Sequence, residues 1–189
     1  MKRICIYILP IISGLLLAAC NDGEVSNKYC NMRAQLHIEN VLQAPTVLLP
    51  ACESMGEYCT IKLSDDGQRF LFTNAAGKTD LINILAISGY NGYFLGLSGF
   101  IVGLLEIPEP GEDYVHVVCY DLACSNCYKD YNITKPLQLQ TGGFAKCKSC
   151  GRTYNLNDLG NVTAAGPAGR PLYRYRVNYL NHVLYINNG

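Results

Sequence analysis

Two cysteine pairs decide how this chain folds, Cys124-Ser125-Asn126-Cys127 and Cys147-Lys148-Ser149-Cys150-Gly151. Nineteen residues separate the pairs, so the pattern is C-x2-C-x19-C-x2-C. Two residues between cysteines let the backbone turn sharply, so both sulfurs of a pair can point at one centre. Gly151 can supply the positive φ that such a turn often requires. The spacing lies within the range of tetrahedral metal sites, and it predicts that Cys124, Cys127, Cys147 and Cys150 bind a metal.

Four thiolate ligands do not by themselves determine which metal binds. Such a set is the usual environment of structural zinc and is also used by iron. Zinc is the first expectation, because knuckles of this kind are most often zinc sites; a single iron ion or a 2Fe–2S cluster is the alternative. In an oxidising compartment, two disulfides among these four cysteines would compete with metal binding. A C-x-x-C disulfide usually begins a helix in a βαβ unit, and the sequence predicts no such setting here.

The rest of the chain is typical of β-structure. Residues 32–39 alternate apolar and polar side chains, as half-buried strands do. Asp65-Asp66-Gly67 and Thr141-Gly142-Gly143 each separate two apolar runs and predict hairpin turns. Many short strands at regular spacing predict an all-β fold, a sandwich or a barrel. Strands are expected over residues 32–39, 60–63, 69–73, 81–87, 100–105, 115–120, 137–140, 144–146, 172–177 and 182–186, with a connection at 178–181. Of these, 81–87 and 100–105 are apolar and β-branched and are expected to be buried strands.

The N-terminus is typical of an export signal. A positive start, Met1-Lys2-Arg3, precedes an apolar run over residues 4–17 that is too short to span a membrane. Leu17-Ala18-Ala19-Cys20 then resembles the lipobox of bacterial lipoproteins. The interpretation is a signal peptide over residues 1–19, a lipid on Cys20 and a tether over 20–28. This predicts a lipoprotein of the bacterial cell envelope, held to a membrane outside the cytoplasm.

Charge and motif content narrow the function further. Without Lys2 and Arg3, thirteen basic residues stand against fifteen acidic ones, and no basic stripe is present. Nucleic acid is therefore not an expected partner. No Walker loop, dinucleotide fingerprint or H-E-x-x-H motif occurs, so no catalytic residue is assigned and the chain is not expected to be an enzyme. A redox partner or another envelope protein remains an open expectation.

Four further cysteines need a separate interpretation. Cys52 and Cys59 have six residues between them and predict a local disulfide in an exported protein. Two buried thiols, or pairing of either cysteine with Cys30, are the alternatives, since sequence does not set connectivity. Cys119 shares a strand face with Val115 and Val117 and is expected to be a small core residue.

Several segments together resemble a Rieske-type domain. They are Tyr120-Asp121-Leu122-Ala123-Cys124, residues 147–154, Gly160-Asn161-Val162 and residues 166–177, in that order. The resemblance covers about residues 114–178. It implies a β-sandwich base over residues 29–189 that carries a small two-loop, rubredoxin- or zinc-ribbon-like metal-binding subdomain over about 118–166.

The chain departs from this family at the metal ligands. Rieske-type domains hold a 2Fe–2S cluster with C-x-H in the first loop and C-x-x-H in the second, and two imidazoles raise its potential. Here position 150 is Cys, and no histidine lies near the first pair. Two classes of function follow. An iron centre would make the chain an electron-transfer protein, whereas a closed four-thiolate zinc site would only hold two loops together.

Overall fold

The structure is a computed structural model that describes residues 28–39, 41–42, 47–87 and 92–188. The expected signal peptide, Cys20 and nearly all of the tether lie outside these residues. Within them the chain forms mostly β-strands with a few short helices. The elements are β1 (Ala34–Ile38), α1 (Leu48–Glu53), β2 (Tyr58–Leu63), β3 (Arg69–Asn74), β4 (Thr79–Asn83), α2 (Ile84–Ile87), β5 (Phe94–Leu95), β6 (Phe100–Leu104), β7 (Val117–Asp121), α3 (Ser125–Tyr131), β8 (Gln138–Gln140), β9 (Phe144–Lys146), β10 (Thr153–Asn155), β11 (Asn161–Val162), β12 (Arg174–Leu180) and β13 (Val183–Asn187).

Two antiparallel sheets contain these strands. The larger sheet has nine strands in the order β4-β3-β2-β6-β7-β12-β13-β1-β5, and the smaller has four in the order β11-β10-β9-β8. Strand β12 joins the two halves of the larger sheet: Arg174 and Tyr175 pair with β7, whereas residues 176–180 pair with β13. The fold is therefore all-β, as the sequence predicts.

A first hydrophobic core is shared by both ends of the larger sheet. Leu36 of β1 and Ile186 of β13 lie in one buried cluster with Phe72 of β3 and Phe100 of β6. Strands from opposite ends can share a core only if the sheet folds over on itself. Each of these side chains is essentially inaccessible to solvent, and burial of one such side chain contributes about 1.5–3 kcal/mol.

A second core lies on the other face of the central strands. Side chains of a strand alternate between its two faces, and in β7 both faces are buried. Val117 and Cys119 belong to the first core, whereas Val118 and Tyr120 belong to the second. The second core also contains Tyr154 of the small sheet. β7 therefore lies between the sheet body and the part of the chain that carries the cysteine pairs.

Most strand predictions are confirmed. Both expected hairpins are present, with β2 and β3 joined across residues 64–68, and β8 and β9 joined across residues 141–143. The strand expected over 81–87 is wrong in its second half, because β4 ends at Asn83 and residues 84–87 form a helical turn. It is also not a buried strand: β4 is an edge strand, and Leu81 is half-exposed. The connection expected at 178–181 is shorter, since β12 continues to Leu180.

Besides α2, two more helices were not expected from the sequence. α1 packs Leu48, Ala51 and Cys52 into the first core, and α3 follows the first cysteine of the metal-site pattern directly. All of the described helices are short, and none has the length and apolar character that a membrane span requires.

Candidate metal centre

The first cysteine pair lies at the end of β7 and begins α3. Cys124 is the N-cap of this helix, and its sulfur accepts a hydrogen bond from the backbone N–H of Cys127 at 3.5 Å. A side chain in this position satisfies one of the free N–H groups of the first helical turn. At the other end, Asn132 adopts the left-handed conformation with φ 54°, and its N–H bonds back to the helix. A helix does begin at this pair, but β7 before it and β8 after it lie in different sheets, so the helix is not part of a βαβ unit.

The second pair forms the tight turn between β9 and β10. Gly151 N–H donates to the Cys147 carbonyl at 2.9 Å, and Cys147 N–H donates to the Arg152 carbonyl at 2.9 Å. Gly151 has φ +75°, and a Cβ there would meet no atom within 4 Å. The glycine is thus required for its backbone conformation and not for space, which confirms the expected positive φ.

The four predicted sulfurs converge on one point. Their Sγ atoms all lie within 4.8 Å of one another. Two distances join the loops: Cys124 Sγ to Cys150 Sγ at 3.6 Å, and Cys127 Sγ to Cys147 Sγ at 3.8 Å. Sulfurs bound at about 2.3 Å around one tetrahedral ion are separated by about 3.8 Å. The donor set and its spacing therefore fit a single tetrahedral metal ion.

Disulfides do not account for this arrangement. A disulfide requires an S–S distance of about 2.05 Å, and the Cys124–Cys150 and Cys127–Cys147 distances are well beyond it. All eight cysteines of the described residues are free. The group of Cys124, Cys127, Cys147 and Cys150 can therefore bind a metal ion, as the spacing predicts.

Burial differs among the four cysteines. Cys124 and Cys147 are completely buried, and Cys127 is nearly so, whereas Cys150 is partly exposed. The centre therefore lies just beneath the surface, with one sulfur close to solvent.

A tyrosine of β10 and the asparagine of the first loop form hydrogen bonds beside Cys124. The Tyr154 hydroxyl lies 3.0 Å from Cys124 Sγ. Asn126 Nδ2 donates to the same hydroxyl oxygen at 2.9 Å, which leaves the hydroxyl proton free for the sulfur. Burial and the nearby Cys124 thiol raise the pKa of Tyr154, so the hydroxyl stays protonated at neutral pH and acts as a donor. This bond stabilises a thiolate at Cys124.

A third segment, residues 166–172, lies against both cysteine loops. Asn126 Oδ1 accepts from Arg170 N–H, and Asn126 Nδ2 donates to the Arg170 carbonyl, each at 3.0 Å. From the second loop, Arg152 Nε donates to the Ala168 carbonyl at 3.0 Å. A Cβ at Gly169 would lie 2.6 Å from Asn126 Oδ1 and 2.7 Å from Arg152 Nε. Only glycine permits this close approach without a shift of those side chains.

The electrostatics of the four thiols favour a cation. Burial and the neighbouring thiols raise the pKa of Cys127. Burial also raises the pKa of Cys147, although backbone N–H groups of the turn oppose this. Burial alone would raise the pKa of Cys150, but hydrogen bonds from the backbone and side chain of Arg152 lower it to about 7. Several thiolates so close together repel one another, and a divalent metal ion removes that penalty.

The remaining cysteines lie in or against the first core. Cys52, Cys59 and Cys119 are buried there, and Cys30 packs against its edge. Cys119 is therefore a core residue, as expected from its strand face. Cys52 and Cys59 are both buried and free in the structure, and burial raises the pKa of Cys52 to about 12. The local disulfide between them stays a prediction.

The histidines form other contacts. His116 Nε2 lies 2.9 Å from Glu109 Oε1, and His182 Nδ1 lies 3.0 Å from Glu53 Oε1. The metal-site group of the described residues contains only cysteines. Sequence reasoning missed Tyr154, Asn126 and Gly169 as parts of the site, because nothing local marks a residue that meets a distant loop. Their only signal was position, since Asn126 lies inside the first cysteine pair, and Tyr154 and Gly169 lie in segments that carry the Rieske-type resemblance.

Comparisons with known proteins add no relative. No family model, no curated protein and no solved structure matches this chain.

Proposed function

We propose that this chain is a lipid-anchored protein of the bacterial cell envelope whose four cysteines hold one metal ion, with zinc as the first choice. The observation that carries the metal proposal is the convergence of four Sγ atoms within 4.8 Å. Thiolates are soft ligands, and a tetrahedral set of four selects zinc or iron over magnesium or calcium.

The sulfur spacing supports one ion over a two-iron cluster. In a 2Fe–2S cluster two cysteines bind each iron, so the metals and bridging sulfides separate one cysteine pair from the other. Sulfurs on different irons must then lie farther apart than sulfurs that share one metal. Here both the intra-loop and the inter-loop distances fall within the same 4.8 Å limit.

The role we propose for the ion is to hold the two loops together. The small sheet has only short strands, and β11 has two residues. Small β-units bury too little apolar surface to be stable alone, and structural zinc contributes folding free energy directly. A closed four-thiolate zinc site leaves no position for water and has no redox chemistry. The ion would therefore act on stability and shape.

Electron transfer by a single iron ion is the second candidate. The observation in its favour is the partly exposed Cys150, which places one ligand sulfur next to solvent and to any docked redox partner. Hydrogen bonds to the sulfurs, such as the one available from Tyr154, tune the reduction potential of iron–thiolate centres.

The lipid anchor and the Rieske-type relationship remain proposals. The anchor rests on the lipobox-like Leu17-Ala18-Ala19-Cys20. A Cys20→Ser variant should lose membrane association, measured by fractionation and by the mass of the N-terminal peptide. The Rieske-type relationship is supported by the order of two cysteine loops and a third segment, 166–172, that lies against both.

Elemental analysis and an absorption spectrum of the purified chain test the metal proposal. Colourless protein with about one zinc per chain would support the structural role, and visible colour with one iron would support electron transfer. Cys147→Ser should lose the metal, whereas Cys119→Ser, an equally buried control in the other core, should keep it. Retention of metal by Cys147→Ser, or metal-free protein with all four thiols oxidised, would end the proposal.

A further inference from the structure

A cavity of about 860 Å³ lies between the first described residues and the segment that follows the metal loops. One wall comes from residues 28–32 and another from residues 170–174. Its volume is in the range of small-molecule sites, about 300–1,000 Å³. None of the four metal-site cysteines lines it, so it is a separate site.

The body of the cavity is apolar. Tyr29 and Met32 line one side, and Pro171, Leu172 and Tyr173 line the other. Such a lining favours a ligand with a hydrocarbon or aromatic body, because its burial removes apolar surface from water.

The charges of the lining are unbalanced. Lys28, Arg170 and Arg174 supply three cations, and Glu109 is the one acid among the lining residues. Glu109 already receives Lys28 at 2.8 Å and Arg174 at 2.5 Å, and His116 from outside the cavity at 2.9 Å. Asp130, outside the lining, pairs with Arg170 at 3.8 Å. One positive charge is therefore left over, and it favours an anionic occupant.

Arg174 adds an unpaired donor to this surplus. Its side chain is 8% exposed, and its Nε has no hydrogen-bond partner. A buried N–H without a partner costs about 1–3 kcal/mol. An acceptor oxygen brought to this wall would offset that cost.

We propose that this cavity binds an organic carboxylate with an apolar body. The carboxylate lies at the arginine end, formed by Arg170 and Arg174, and the apolar body lies along Tyr29, Leu172 and Tyr173. Arg170 is shared with the metal centre, because its backbone bonds to Asn126 of the first cysteine loop while its side chain lines the cavity. Occupation of the cavity therefore steadies the segment that lies against the metal loops.

Titration of the purified chain with octanoate tests this assignment, with 1-octanol and inorganic phosphate as probes of the apolar body and of charge alone. We expect octanoate to bind saturably, one per chain, and to raise the unfolding midpoint in calorimetry. Octanol and phosphate should bind far more weakly, since octanol lacks the negative charge and phosphate lacks the apolar body. Salt should weaken octanoate binding, because the cations are partly exposed.

Arg170→Gln is the test variant, and Arg69→Gln is its matched control. The two arginine side chains are 44% and 45% exposed, and each pairs with one aspartate, but Arg69 does not line the cavity. Arg170→Gln should weaken octanoate binding about threefold to fivefold, and Arg69→Gln should leave it unchanged. The proposal is overturned if no probe binds, if octanol or phosphate binds as tightly as octanoate, or if Arg170→Gln binds as the unaltered chain does. Metal content is measured separately, so a failure here leaves the metal proposal standing.

Discussion

Removal of a single hydroxyl, in Tyr154→Phe, should weaken metal binding without unfolding the chain. Tyr154 is completely buried, and its hydroxyl lies 3.0 Å from Cys124 Sγ. A hydrogen bond to a charged acceptor contributes about 1.5–3 kcal/mol, and loss of a group that supports a metal ligand typically costs about 10–100-fold in affinity. The two ranges agree, because about 1.4 kcal/mol corresponds to a factor of ten.

A chelator competition measures this effect, with Tyr58→Phe as the control. Tyr58 is equally buried in the second core, but its hydroxyl donates to Asn157 Oδ1 at 2.6 Å and is not paired with a sulfur. Tyr58→Phe should lose about 1 kcal/mol of stability and keep the metal affinity of the unaltered chain. The reasoning is refuted if Tyr154→Phe holds metal as tightly as the unaltered chain, or if Tyr58→Phe loses as much affinity.

Two further predictions concern the sheet body. Burial alone would raise the pKa of Glu109, but hydrogen bonds and charges of Arg174 and Lys28 lower it to about 2. Because the folded-state pKa is depressed, its stabilisation of roughly 2–3 kcal/mol is complete above about pH 5 and is lost as the pH falls towards 2; urea unfolding of Glu109→Gln should lack this component of the acid dependence. A Cβ at Gly96 would overlap the Tyr175 hydroxyl and the Asp121 carboxylate, so Gly96→Ala should destabilise the chain by more than about 2 kcal/mol in the same assay. Gly77→Ala, with φ +80° but open space around it, should cost only about 1 kcal/mol, and equal costs for the two variants would contradict the steric argument.

The pattern of apolar residues predicted a strand correctly where the same residues also became buried in the fold. Residues 100–104 form a buried strand as expected, because an apolar, β-branched run fits a strand buried on both faces. The same composition misled at residues 84–87, where the sheet edge leaves the chain partly in solvent. α3 was missed because its sequence, SNCYKDY, has little helix propensity. The helix depends on its caps, Cys124 and Asn132, and the sulfur cap was not recognisable from the sequence.

For the candidate site, too, some features could be predicted from the sequence and others could not. Spacing alone identified all four metal-site cysteines, because C-x-x-C restricts where two neighbouring sulfurs can point. The contacts that support them were not predictable, since Asn126 and Arg170 are 44 residues apart in the chain. The charged group around Glu109 was missed for the same reason, because Lys28, His116 and Arg174 come from distant segments.

The two hydrophobic cores on either face of β7 also separate the cysteines of the described residues into two groups. Four cysteines, Cys30, Cys52, Cys59 and Cys119, lie in or against one core, and the four metal-site cysteines lie in or against the other. The eight cysteines of the described residues allow about 105 disulfide pairings in an unfolded chain, so oxidation before folding would produce extensive mispairing. The order of events during folding then matters. If a metal ion binds before the thiols meet an oxidant, the sheet keeps the four metal-site cysteines apart from the other four, whereas early oxidation would trap mispaired chains.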